Sequence, residues 1–473
     1  MKFQNHHLLP LSMFILLMMS SCMTYYQKNE ALMDAVYKGN YGVAEKLLAS
    51  DSKIAKVQKN KLLYYLNKGT VYWMNNKFDS SNVYFRQADY FVEDFEKNYT
   101  QAIASFLVNK NVATYAGEDF EKVLLHYYGA MNYLMLGDLD AALIEAKRML
   151  LKMQRNTDKY KSNNKYKRDA FAHHLLGIIY DAKREYNDAY IAYKNAYEVY
   201  EVDYQKMFGT PIPKQLQYDI IRTAYLNGFT DEQSQYEQKF HIRFDPTKQL
   251  NQSSIVFFWN NGLGPIKEQN SVNFTILPQG NGWVQIVNHD LGFSFPFQVQ
   301  DKEDKNDLLD MRFFRIALPK YVSREPFYKK AFIQYDQQKF EFDLVEDINA
   351  IAYKSLEDRM TKELGEALIR AALKQLVVYK ANKEKKDGLA FAASLYGAIS
   401  EQADTRNWQL LPHSIYYTRI PIQANQNSFE LNVISKSEAG AFKKTFQLSS
   451  HKGMQFYCFQ TIDFSGYTQD IND

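Results

Sequence analysis

The run Ala170–Tyr200, AFAHHLLGIIYDAKREYNDAYIAYKNAYEVY, decides how the chain is read. Its small and aromatic residues fall at Gly177, Tyr180, Tyr186, Ala189, Tyr193 and Ala196. On two consecutive helices such positions share a face, because side chains three or four apart lie one above another. Small residues then stand where two backbones approach closely, with tyrosines beside them. A hairpin of this kind leaves an apolar face that only another hairpin can cover. The stretch therefore predicts copies of itself.

The copies are present. Leu62–Phe91 repeats the pattern with Gly69, Tyr72, Phe78, Ser81, Phe85 and Ala88. Another copy carries Ala130, Tyr133, Gly137, Leu139, Ala142 and Ala146. Residues 30–50 hold Gly39, Tyr41, Ala44 and Leu48, a partial capping copy, and a weaker helical pair runs from Gln215 to Phe240 after the Pro211-Ile212-Pro213 turn. The pattern resembles a tetratricopeptide (TPR) repeat. Its spacings of 61 and 47 residues (69 to 130, 130 to 177) exceed the roughly 34 of an uninterrupted array, so extra segments interrupt it. Asn156–Lys167, NTDKYKSNNKYK, reads as one such solvated loop. The expectation is a TPR-like α-solenoid over 30–245. Tyr72, Tyr133 and Tyr180 are its candidate anchors for a partner's peptide or helix.

Past Asp245-Pro246 the periodicity changes. Ser253–Trp259, Val272–Leu277, Trp283–Val287, Phe313–Leu318, Ala331–Tyr335 and Phe340–Leu344 read as strands, with Pro278–Gly282 as a hairpin turn. Ile348, Ala352, Leu356, Met360, Leu364 and Leu368 then recur every fourth residue, a helix. A small-residue helix, Leu389–Ile399, follows, and strands resume at Ile415–Ile422, Phe429–Ile434, Phe442–Leu448 and Gln455–Ile462. The chain is thus expected to be α+β and multidomain. Its C-terminal domain, 246–473, should be β-rich and sandwich-like, with a β segment at 246–345, a long helix pair at 346–403 and a second β segment at 404–473.

The N-terminus sets the address. Residues 1–22 read MKFQNHHLLPLSMFILLMMSSC, and the apolar run Leu8–Met19 is too short to span a bilayer as a helix. Met19-Ser20-Ser21-Cys22 resembles a bacterial lipobox, so residues 1–21 read as a lipoprotein signal peptide and Cys22 as the lipidated residue. Acyl chains such as palmitate would attach it stably to the membrane. Residues 22–29 are then a tether. Met23 is not aspartate, so the outer membrane is expected. Met23–Lys28 holds no acidic cluster of the kind used for surface export, so a periplasm-facing placement is expected.

Composition narrows the chemistry. A formal charge of +3 over 473 residues, with no basic run, disfavours nucleic acid as a partner. Two cysteines, Cys22 and Cys458, exclude a disulfide framework and a cysteine-rich metal site. Adjacent His173 and His174 point in different directions on a helix, and His126 reads as structural; no metal or cofactor is expected. Gly262-Leu263-Gly264-Pro265 is a turn, lacking the lysine of a phosphate loop. Glu118-Asp119 and Glu346-Asp347 mark helix starts. The sequence offers no catalytic arrangement. Asp404-Thr405-Arg406-Asn407-Trp408-Gln409-Leu410-Leu411-Pro412 is unusual, with two readings: a hinge between helix and sheet, or a partner-binding loop carried by Arg406 and Trp408.

Several of these stretches carry a resemblance. Phe120–Leu134 (FEKVLLHYYGAMNYL), Gly262–Glu268 (GLGPIKE), the Asp347–Leu356 helix start and Asp404–Pro412 (DTRNWQLLP), together with the lipobox, resemble a family of uncharacterised bacterial TPR-type lipoproteins. Members are often encoded beside lipoproteins that resemble curli-pore subunits or activators of penicillin-binding proteins. The resemblance implies an interaction scaffold for other envelope proteins, in cell-envelope assembly or export. The alternative is a carbohydrate- or peptidoglycan-binding lipoprotein that uses the aromatic β segment.

Overall fold

The computed structural model describes residues 25–50, 58–98, 113–158, 166–249, 253–290, 292–299, 306, 308–309, 312–383, 402–422, 426–436, 441–450 and 453–462. The signal peptide, Cys22, the middle of the polar loop and the expected helix Leu389–Ile399 lie outside the described residues.

Ten helices form five consecutive pairs. They are α1 (Glu30–Tyr37) with α2 (Tyr41–Ser50), α3 (Lys61–Met74) with α4 (Phe78–Asn98), and α5 (Asp119–Leu136) with α6 (Leu139–Asp158). Next come α7 (Ala170–Ala182) with α8 (Tyr186–Val199), then α9 (Lys214–Leu226) with α10 (Thr230–Phe240). Each pair packs against itself and against the next. The small positions do what the sequence asks of them. A Cβ on Gly69 would lie 2.8 Å from the Phe85 ring, and one on Gly177 would lie 2.4 Å from the Tyr193 ring.

One turn recurs in all five pairs. Gly39, Asn76, Gly137, Arg184 and Gly228 each have positive φ. In each, the amide of the following residue returns to a carbonyl one helical turn back: Asn40 to Ala35, Lys77 to Tyr72, Asp138 to Tyr133, Glu185 to Tyr180 and Phe229 to Ala224. This is the left-handed helix stop that glycine favours, held at two positions by asparagine and arginine. The pair at 215–240, weak as a sequence repeat, has the same turn as the others.

Strand β1 (Ser254–Asn261) is buried along its whole length. It pairs in parallel with β12 (Met454–Thr461) and antiparallel with β9 (Ser414–Pro421), in a sheet ordered β12-β1-β9-β8, where β8 is Asp343–Asp347. A second sheet, β11-β10-β6-β7, joins Ala441–Gln447, Ser428–Ser435, Tyr328–Tyr335 and Gln338–Glu341. Ile255, Phe257 and Trp259 on one face of β1 meet Ile333 and Leu431 between these sheets. On the other face Val256 and Phe258 join the core of the helical pairs, which runs without a break from Leu32 to Ile462. A third sheet, β4-β3-β2-β5, comprises Phe293–Gln298, Trp283–Asn288, Ile266–Gln279 and Phe313–Val322. It buries Phe274, Ile276, Val284 and Ile316 against Leu364, Leu368 and Ala371 of α11 (Ile348–Lys383).

The chain is mixed helix and sheet, 52% and 26%, so α+β holds. Three expectations change. The β segments at 246–345 and 404–473 interleave in the first two sheets, and the first sheet shares its core with the helices, so position 245 does not separate two cores. The cause is β1, which is apolar on both faces and must be covered on both. The run Phe340–Leu344 divides between β7 and β8, and the chain changes sheet at Phe342. Residues 22–29 are not all tether, because Tyr25–Lys28 is a helical turn docked on the body. Strand β4, FSFPFQ, is an addition to the strands expected from the sequence, and it carries Pro296. Among the described residues it pairs with β3 alone, and proline is tolerated on such an edge.

Candidate functional site

Tyr72, Tyr133 and Tyr180 occupy the same place in three successive pairs, each supplying the carbonyl that closes the turn. All three are half-buried and engaged by a cation. Lys77 Nζ lies 5.6 Å from the Tyr72 ring centre and Lys147 Nζ 5.4 Å from that of Tyr180, while Arg86 Nη1 donates to Tyr133 Oη at 3.3 Å. Tyr72 also stacks on Tyr84, with ring centres 5.4 Å apart. The structure thus sets these three tyrosines at equivalent positions along the turn edge of the pairs.

A second repeated feature was not singled out in the sequence. Val83, Ile144 and Ile191 each lie fourteen residues after the small residue of their hairpin (69 to 83, 130 to 144, 177 to 191) and are 41%, 55% and 48% exposed. Tyr90 and Leu151, two turns further along α4 and α6, are 68% and 54% exposed. Asp89 ties these two helices together, 3.2 Å from Arg148 Nη1 and 3.6 Å from Lys152 Nζ. Between them His126 is buried, with Nδ1 2.7 Å from Glu145 and Nε2 3.5 Å from Asp89. Burial alone would lower the His126 pKa, but bonding to the two carboxylates raises it. The available signal was an aliphatic residue at one fixed offset, on the helix face opposite the small residues.

Arg406 and Trp408 do not join that surface. Trp408 is buried beside Tyr128 and Phe85, with ring centres 5.4 and 5.8 Å away. Its Nε1 donates to Thr70 Oγ1 at 3.0 Å and its backbone N to Glu121 Oε1 at 2.6 Å. Arg406 pairs with Asp404 at 2.8 Å, donates to the carbonyls of Lys59 and Ala113 at 2.9 and 3.1 Å, and lies 5.3 Å over the Tyr115 ring. As candidate partner contacts both are corrected: every one of these bonds is internal. The stretch joins helices to sheets because a buried guanidinium and indole must find acceptors, and the helical half supplies them.

The motifs that stood apart in the sequence meet here. Glu118 caps α5 and is paired with Lys267 of the GLGPIKE run and with Arg359 of α11. Burial would raise its pKa, but the charges of Arg359 and Lys267 outweigh that and hold it at about 2. Glu121 is raised instead, by burial and by the charge of Glu118, although Tyr115 Oη donates to it at 2.6 Å. Asn407 Nδ2 donates to the Pro265 carbonyl at 2.8 Å. A separate buried group joins Arg419 of β9 to Asp181 and Asp219 at 2.8 and 2.9 Å, with Arg222 paired to both carboxylates. No local motif announces that group, since its four members come from three elements, α7, α9 and β9, far apart in the chain.

His174 is enclosed by Tyr193, Tyr200 and Tyr417, and burial pushes its pKa down to about 3. Burial pushes the Cys458 thiol up. Among the described residues, no group of three or more His, Cys, Asp and Glu side chains is placed to hold a metal ion. Among them, too, no helix is long and apolar enough to cross a membrane.

No protein-family model and no curated protein matches the chain. Solved structures similar to part of it include MamA, at 15% identity over 46% of this chain and 94% of that one, with a TM-score of 0.28. Nearly identical TPR-like repeats from Podosopora anserina match at 12% identity over 45% of this chain and 91% of theirs, with a TM-score of 0.30. BtubC (BKLC) from P. vanneervenii matches at 12% identity over 45% and 84%, with a TM-score of 0.27.

Proposed function

We propose that this chain is a lipoprotein anchored through Cys22 to the outer membrane and facing the periplasm. There it acts as a non-enzymatic protein–protein interaction scaffold in cell-envelope assembly or export. The observation that carries the scaffold reading is the repeated exposure of Val83, Ile144 and Ile191 in three consecutive hairpins. Single exposed aliphatic residues are ordinary, but a repeated set beside Tyr90 and Leu151 is suited to the apolar face of a partner's helix. The anchor reading is supported by the lipobox-like Met19-Ser20-Ser21-Cys22. A carbohydrate-binding role has less support, because Phe257, Phe429 and Phe446 of the β segments pack against one another.

Photo-crosslinkers at positions 83, 144 and 191, activated in cells, test the scaffold. Discrete adducts with envelope proteins are expected, and they should vanish in a Tyr90→Asp, Leu151→Asp variant whose unfolding midpoint is unchanged. No adduct from any position sinks the scaffold reading. Cys22→Ser should release the protein from the membrane fraction; unchanged attachment refutes the anchor.

A further inference from the structure

We infer that the face of the body around Tyr25 lies directly on the lipid surface, so that the protein has one fixed orientation on its membrane. The inference rests on the lipid anchor at Cys22 and adds to it what the docked N-terminal turn requires.

Tyr25 belongs to the body. Its backbone N donates to Thr405 Oγ1 at 3.2 Å, its Oη accepts from Asn67 Nδ2 at 3.3 Å, and its carbonyl accepts from Asn29 Nδ2 at 2.8 Å. Its ring packs against the main core, and burial pushes the phenol pKa up to about 12. Two residues, Met23 and Thr24, separate it from Cys22, and the three Cα–Cα steps between them reach about 10 Å when extended. An acyl chain on Cys22 therefore brings the headgroups to within about that distance of Tyr25, less than the width of one helix with its side chains.

The elements beside Tyr25 are themselves fixed. Thr405 is followed by Arg406, which holds the Lys59 and Ala113 carbonyls, and Tyr115 N donates to the Lys59 carbonyl at 2.8 Å. The exposed residues of this neighbourhood include Gln27, Gln58 and Lys59. With Glu30 also exposed, it presents polar side chains and charges of both signs, a composition suited to resting on zwitterionic phospholipid headgroups rather than entering the hydrocarbon.

The test uses the full acylated chain in phospholipid vesicles that carry a nitroxide-labelled headgroup. A fluorophore is placed at Lys59→Cys in a Cys458→Ser background. Strong quenching is expected, and most of it should be lost when a Gly-Ser spacer of about twelve residues, spanning about 20 Å, is inserted before Tyr25. Quenching that the spacer leaves unchanged overturns the fixed orientation while the anchor stands. Protein that lacks the acyl mass and fails to float with vesicles overturns the anchor, and this inference with it.

Discussion

The indole Nε1 of Trp408 donates to Thr70 Oγ1 at 3.0 Å, joining residues 338 positions apart. Thr70 also donates to the Leu66 carbonyl at 2.8 Å within α3, so the bond runs from the sheet-bearing half into the backbone of a hairpin. Helices and sheets should therefore unfold together. Trp408→Ala is expected to cost about 3–5 kcal/mol, and Trp408→Phe less, mainly through the lost bond. Urea unfolding followed by far-UV circular dichroism and by tryptophan fluorescence should give coincident curves for the parent protein. Separate transitions would show that the halves are independent.

Gly177→Ala should destabilise by about 1–3 kcal/mol, because the new methyl would meet Tyr193 at 2.4 Å inside the core. Gly42→Ala is its control. That glycine is within α2 with nothing inside 4 Å of the added carbon, so a gain of about 0.5–1 kcal/mol is expected. Thermal melts of the two variants should move in opposite directions.

Glu118 makes the acid limb. Its pKa of about 2 in the fold is below the ordinary value near 4.5, so its contribution is present above pH 4.5 and lost as the pH falls toward 2. Glu118→Gln should flatten stability over that window. At neutral pH it should cost about 3–5 kcal/mol, since Lys267 stays buried without its carboxylate and Arg359 is left with Glu363. Denaturant midpoints at pH 3, 4, 5 and 7 would check both.

Glu346 has the opposite sign. Burial and the charge of Asp169 raise its pKa well above the ordinary range, while Tyr204 Oη donates to it at 3.1 Å. A raised carboxyl contributes most below its unfolded pKa, and that contribution is lost as the pH rises through the folded value. Glu346→Gln keeps an acceptor for Tyr204 without the charge. Its melting temperature should exceed the parent's, by more at pH 8 than at pH 5. A uniform difference would mean that Glu346 does not titrate there.

The hairpins were legible because Gly69 with Phe85 and Gly177 with Tyr193 are small-to-large pairs at one spacing, and sequence shows spacing. The shared turn was legible only in part, since Asn76 and Arg184 take the left-handed conformation without glycine to advertise it. The stretch at 404–412 stood out, but its use did not. Whether an arginine faces water or a set of buried carbonyls depends on the chain 347 positions away that supplies Lys59. Interleaving of the two β segments was invisible for the same reason. β1 shows that it needs cover on both faces, yet nothing in its eight residues names β9 and β12 as neighbours.

The parallel pairing of β1 with β12 sets a clock on biosynthesis. Trp259 donates to Thr461 at 2.8 Å across 202 positions, a gap that takes about 10–40 s to translate at ordinary elongation rates. For most of that interval both flanks of this apolar strand lack their neighbours, because β9 at 414–421 also follows it in the chain. The nascent chain must therefore wait unfinished. A factor that shields it should bind while β1 has emerged and residues 454–461 have not, and should be displaced when they arrive.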